Sequence, residues 1–227
     1  MVSLRGVLQA RRRLEDVIEH GHRGDVGPGA RADEAQVAAR DVAKAQPVRH
    51  LMHTCEEMVL GNISYTASQD EVYRMREARS RLDPRWISRI EEWPIRREAV
   101  IDDLRLLLVH GSPSDPIAGY VYPDTDLTAF RDLPYDFVLL GHTHRPFIRS
   151  IGSVTVVNVG SCGLPRDVGN LACCAVCDTK ARTATLLRLE FDTKALLANL
   201  GDRVDESVMA CLQRRPATPE LAPRNDA

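Results

Sequence analysis

Four apolar runs in this 227-residue chain each stop at a glycine-flanked polar residue able to coordinate a metal. They are Met58-Val59-Leu60 before Gly61-Asn62, Leu104 to Val109 before His110-Gly111, Phe137 to Leu140 before Gly141-His142-Thr143-His144, and Val154 to Val157 before Asn158. Neutral imidazole nitrogens and amide oxygens suit Mn, Fe or Zn better than a calcium cage. Taken one at a time, each residue has an ordinary reading: a strand-end histidine is commonly a hydrogen-bonded structural residue, and Asn158 could equally cap a turn or touch a ligand. The set is harder to assign to packing, because imidazoles fill cores poorly and need polar partners. Two histidines one residue apart, with a third at another strand end, read as a convergent cluster.

Such a cluster must be brought together by the elements beneath it. Continuous apolar strands imply a sheet covered on both faces, whose ligands collect in the crevice at the carboxyl ends of the strands. The pattern predicts strands ending at Leu60, Val109, Leu140 and Val157, then a closing pair at Ala172 to Val176 and Ala184 to Leu189 with a turn near Thr179-Lys180. Asp83-Pro84 opens a helix with Trp86, Ile87 and Ile90 on its apolar side, and another helix starts at Asp192 and runs through Leu197. Before Met58 the periodic stretch is Leu8 to His20, read as a helix, and no aromatic residue precedes Tyr65.

Composition narrows the function classes. Thirty Lys and Arg against 32 Asp and Glu leave a net charge of −2, so no global positive field exists to hold a nucleic acid or an anionic membrane. Hydrophobic residues make up 44% of the chain, enough for a real core, and no apolar run approaches the ~18 residues that span a bilayer. The opening Met1-Val2-Ser3-Leu4-Arg5 does not read as a secretory signal. The expectation is a cytoplasmic protein without membrane or nucleic-acid partners, its six cysteines free. Cys174-Ala-Val-Cys177 has a metal-ligand spacing, but no second such pair completes a zinc set.

The runs Leu107-Leu108-Val109-His110-Gly111-Ser112-Pro113, Val138-Leu139-Leu140-Gly141-His142-Thr143-His144 and Val157-Asn158-Val159-Gly160-Ser161-Cys162-Gly163-Leu164-Pro165-Arg166 occur in that order. Together they resemble the last three motifs of the calcineurin-like metallophosphoesterases, the small bacterial and archaeal phosphodiesterases above all, from about Met58 to Phe191. The resemblance implies an α/β fold, a four-layer α/β/β/α sandwich with two divalent metals at the strand ends, Mn foremost and Fe, Zn, Ni or Mg as alternatives. It implies hydrolysis of a phosphodiester or phosphomonoester by a metal-bound hydroxide, with no covalent enzyme intermediate. The substrate would be a phosphorylated small molecule or another phosphoester. Carried over residue by residue, Asn62, His110 and His142 match ligands of one metal and His144 a ligand of the other. Asn62 and His110 also match catalytic positions, and Asn158 and Ser161 positions that bind substrate.

The early motifs depart from this pattern. The family opens with a strand ending in Asp-x-His, where the nearest match here offers Ser3 and Arg5. Gly24-Asp25 resembles the Gly-Asp whose carboxylate bridges both metals, which makes Asp25 a candidate ligand, with an ordinary loop aspartate as the other reading. Gly-Asn-His-Asp becomes Gly61-Asn62-Ile63-Ser64, and a side chain of Ile63 cannot donate a proton, a loss of roughly 10²–10⁴-fold for a general acid. The expectations are a sandwich incomplete at its N-terminal edge, one metal site with a weak or absent second, and a sheet edge open to homo-oligomerisation. Residues 1–57 are then a degenerate N-terminal part, 58–212 the phosphoesterase core and 213–227 a disordered tail. Two accounts stay open: a displaced start, or a degenerate relative that binds a phosphorylated ligand or protein partner without catalysis.

Overall fold

The computed structural model describes residues 51–201 and 204–215. Over these the chain runs α1 (Thr54–Leu60), α2 (Ala67–Tyr73), α3 (Met75–Arg81), α4 (Pro84–Glu91), β1 (Arg96–Ile101), β2 (Leu104–Val109), a 3₁₀ turn (Thr128–Phe130), β3 (Phe137–Leu140), β4 (Phe147–Ile151), β5 (Val154–Asn158), β6 (Leu171–Asp178), β7 (Thr183–Glu190), α5 (Thr193–Leu200) and α6 (Glu206–Gln213). The first five strands form one sheet in the order β1-β2-β3-β5-β4. Its inner strands β2, β3 and β5 are parallel, while β1 and β4 run antiparallel at the two sides.

The predominant apolarity of the inner strands, interrupted by the exposed Arg105 in β2 and by Thr155 in β5, is explained by burial on both faces. Alternate side chains sort to opposite sides of a strand. Leu104 and Leu106 join Phe137 and Val157 on one face, against Ala175, Cys177, Ala184 and Leu186 of the β6–β7 hairpin. Leu107 and Val109 join Val138, Leu140 and Val156 on the other, against Val121, Leu127 and Phe130. Each such side chain, fully buried, contributes about 1.5–3 kcal/mol. Two sheets thus pack face to face in a mixed α/β sandwich, the expected class.

The helix starts follow their caps. The carboxylate of Asp83 accepts from the backbone N–H of Arg85 at 2.9 Å, with Pro84 in the first turn, and the carboxylate of Asp192 accepts from that of Ala195 at 2.9 Å. Of the expected apolar trio on α4, Ile90 is buried, Ile87 half-buried and Trp86 exposed.

One expected strand is a helix. Met58-Val59-Leu60 is the last turn of α1, which opens with Glu56 and Glu57 in its first turn and is closed by Gly61 at φ 87°. Acidic residues favour a helix start, a left-handed glycine favours its end, and three apolar residues in a row do not distinguish a strand from a helix. A division after residue 57 therefore falls inside α1. At the other end, α6 runs to Gln213 and the backbone N–H of Gly169 donates to the carbonyl of Arg214 at 2.9 Å, so the expected tail begins with residues bonded to the body. The helix expected at Leu8 to His20, the candidate Asp25, the matches at Ser3 and Arg5, and the tail beyond 215 lie outside the described residues. No described helix is long and apolar enough to cross a membrane.

Candidate active site

Parallel strands deliver their successors to one edge of the sheet. His110 follows β2, His142 and His144 follow β3, and Asn158 closes β5. The ladder continues one step past the strands, with the N–H of Gly141 donating to the carbonyl of His110 and that of Val159 to Leu140, both at 2.9 Å. His142 and His144 have φ of 58° and 56°, a left-handed conformation that costs roughly 1–2 kcal/mol per residue with a side chain. The buried Thr143 lies between them.

Asn158 holds this strained loop. It is 0% exposed, and its Nδ2 donates to the carbonyl of Gly141 at 2.8 Å and to Thr143 Oγ1 at 2.9 Å. Its Oδ1 accepts from the N–H of Gly160 at 3.0 Å. A side chain so enclosed has no surface for a substrate to meet, so the substrate contact expected of Asn158 gives way to loop support. Ser161 acts similarly: its Oγ accepts from the N–H groups of Gly163 and Leu164, at 3.3 and 3.0 Å, and keeps its own hydroxyl hydrogen to donate. The Leu164 carbonyl in turn accepts from His144 Nδ1 at 2.8 Å. Since a carbonyl only accepts, Nδ1 carries the hydrogen and Nε2 of His144 keeps its lone pair.

His110 Nε2 and His142 Nδ1 are 3.0 Å apart. Burial drives His110 down to about 2, helped by His53, His142 and His144 nearby. Burial takes His144 to about 4, against the pull of its bond to Leu164 and with the charge of Arg166 lowering it further. His142 is also lowered, first by burial and then by Arg166. All three rings are therefore neutral at pH 7. His142 Nε2 is buried with no partner in hydrogen-bonding geometry, although the Ala118 carbonyl lies near enough to favour a proton on the ring.

The pair fits a divalent cation on two counts. Ligand nitrogens about 2.1 Å from a metal and at right angles stand about 3.0 Å from each other. Neutral rings also lose no net proton at pH 7 on binding; the hydrogen shared between the two nitrogens need only move to the far nitrogen of its own ring. Yet no group of three or more His, Cys, Asp or Glu side chains that could hold a metal ion occurs among the described residues. The histidines offer one edge of a coordination shell, and the described residues build no two-metal centre.

Asn62 is not brought to this edge. It is exposed beyond the C-terminal end of α1, its backbone N–H donating to the Glu57 carbonyl at 2.9 Å. The opposite end of the helix faces the histidines. His53 stacks on His110 with ring centroids 4.3 Å apart and planes 15° apart. Thr54 Oγ1 donates to the Ile117 carbonyl at 2.8 Å and lies 3.4 Å from His142 Nδ1. A seven-residue helix separates its two ends by about 10 Å. Reading this segment as a strand hid His53 and Thr54, and no local signal marks them. Arg166, also missed, has a buried Nε without a hydrogen-bond partner, and its backbone N–H donates to the His144 carbonyl at 3.0 Å.

Comparison with known proteins bears on the family and the fold. The family model described as the calcineurin-like phosphoesterase superfamily domain matches residues 11–182. A probable metallophosphoesterase of Methanothermobacter thermautotrophicus is 35% identical over 79 residues, 33% of this chain and 41% of its own length. An uncharacterized protein of Methanocaldococcus jannaschii is 28% identical over 123 residues, 46% of this chain and 49% of its own length. The chain thus spans less than half the length of either relative. Among solved structures, a hypothetical protein of Pyrococcus horikoshii superposes with a TM-score of 0.66 at 18% identity, over 92% of each chain. A metallophosphoesterase of Sphaerobacter thermophilus does so with a TM-score of 0.60 at 22% identity, over 88% of this chain and 91% of that one. Both likenesses are of fold.

Proposed function

Because the chain belongs to the calcineurin-like phosphoesterase superfamily, we propose that it hydrolyses phosphoesters with a divalent cation held by His110 and His142. The observation that carries this reading is the pair of neutral imidazole nitrogens, 3.0 Å apart at the carboxyl edge of the sheet. A bound divalent cation supplies Lewis-acid charge to a phosphoryl oxygen and lowers the pKa of water. Mn is the first candidate, since imidazole and oxygen donors suit it.

The chain's own groups share the remaining tasks. Arg166 brings a permanent charge beside His142 and His144, suited to the non-bridging oxygens of a phosphate. His144, oriented by the Leu164 carbonyl, keeps Nε2 to accept a proton or to ligate. Asn158 and Ser161 hold the loops that carry these groups. With Ile63 where a histidine would protonate the leaving group, esters of acidic alcohols are the better substrates. All six cysteines are free thiols, which supports a reducing, cytoplasmic setting.

The test is Mn²⁺-dependent hydrolysis of bis(p-nitrophenyl) phosphate by the full chain. Turnover that needs metal and drops at least ~10²-fold in His142→Ala is the expected result. No turnover by folded, Mn²⁺-bound protein would overturn catalysis in favour of a second reading, non-catalytic binding of a phosphorylated ligand, to which Ile63 lends support.

A further inference from the structure

The loop after β2 carries two large rings in the open: Tyr120 is 59% and Tyr122 40% exposed. They are stacked, with ring centroids 5.8 Å apart and planes 11° apart. Tyr120 also meets His142, its centroid 4.3 Å from that of the imidazole and the planes at 49°. The rings of Tyr122, Tyr120, His142 and His110 therefore follow one another from the surface to the candidate cation edge.

The loop presents this pair in a defined way. The N–H groups of Gly111, Ser112 and Gly119 donate to the carbonyls of Pro116, Asp115 and Asp115 at 2.7, 2.8 and 3.1 Å. A Cβ at Gly119 would collide with Ser112 Oγ, so glycine permits the two arms to close this tightly. Val121, 3% exposed, roots the segment in the core between the two rings, and the N–H of Tyr122 donates to Thr125 Oγ1 at 2.8 Å. Aromatic surface held open beside the candidate cation edge is suited to a planar partner, because offset ring faces attract and every nucleobase has such a face.

We propose that Tyr120 and Tyr122 form a stacking platform for a nucleobase, so that the site takes mononucleotide-sized phosphoesters in preference to aliphatic ones. This rests on the phosphoester reading above. A long polynucleotide is disfavoured by the net charge of −2, which leaves no field to hold its backbone.

Adenosine 5′-monophosphate and ribose 5-phosphate share a sugar phosphate and differ by the base, so they isolate the platform without needing turnover. Their binding to the full chain with Mn²⁺ is measured by titration calorimetry for wild type, Tyr120→Ala, Tyr120→Phe and Tyr122→Ala, each checked for native circular dichroism. The nucleotide should bind about tenfold tighter or more. That preference should shrink to about twofold in either alanine variant and survive in Tyr120→Phe, whose ring keeps its face. Equal binding of both ligands by wild type, or a preference unmoved in both alanine variants, would overturn the platform and leave the phosphoester reading intact. Binding of neither ligand would overturn that reading and the platform with it.

Discussion

His110 Nε2 and His142 Nδ1 lie 3.0 Å apart although 32 residues separate them in the chain. Parallel pairing of Leu108 with Leu139 places the two strand ends side by side, and burial keeps both rings neutral. The proposed cation and anion binding and the expected acid sensitivity can each be tested around that arrangement.

Cation binding distinguishes the two ends of α1. His110→Ala and His142→Ala should each weaken Mn²⁺ binding by about tenfold or more, whereas Asn62→Ala should leave it within about twofold. Titration calorimetry reads all three. Equal losses in Asn62→Ala would mean that the C-terminal end of the helix, not His53 and Thr54, meets the histidines.

Removing the loop support should be felt in stability. Asn158→Leu removes the amide's bonds to the Gly141 carbonyl, the Thr143 hydroxyl and the Gly160 N–H, and leaves that buried N–H without its partner. Urea unfolding should show a loss of about 1–3 kcal/mol. A midpoint equal to that of wild type would refute the role given to this side chain.

Arg166 should act through its charge. Arg166→Met should weaken inhibition by inorganic phosphate about 10- to 100-fold, the range for a hydrogen bond to a charged group. It should also raise the His144 titration midpoint above its native value of about 4, because the guanidinium lowers it. Imidazole proton resonances followed against pH give that second readout. An unmoved midpoint would separate Arg166 from the site.

Acid should destabilise the metal-free protein below about pH 6.5. Unfolded histidines titrate near 6.5, whereas folded His144 titrates at about 4 and His110 at about 2. Between these values the unfolded chain binds more protons, so stability falls as pH falls, by up to ~1.4 kcal/mol per pH unit for each histidine. The His144 contribution levels off near pH 4 and that of His110 continues lower. Urea midpoints at pH 7.5, 6 and 5 check the slope. Midpoints that do not fall between pH 6 and 5 would contradict it.

The sequence by itself determined the sheet centre. Leu104 to Val109, Phe137 to Leu140 and Val154 to Val157 carry apolar residues on both alternating faces, as a doubly covered strand requires, and glycine marks where two of them stop. The position of His110 and of His142-Thr143-His144 at one edge follows from those strands being parallel. Met58-Val59-Leu60 was too short to declare its own period, and taking it for a strand sent Asn62 to the site in place of His53 and Thr54. Tertiary structure alone decided which end of α1 faces inward, that Asn158 is sealed beneath the loop, and that Arg166 and Tyr120 stand beside His142. These are distances and burials between segments remote in the chain. Local pattern records which element a residue joins, whereas desolvation and approach across the fold determine what that residue can touch.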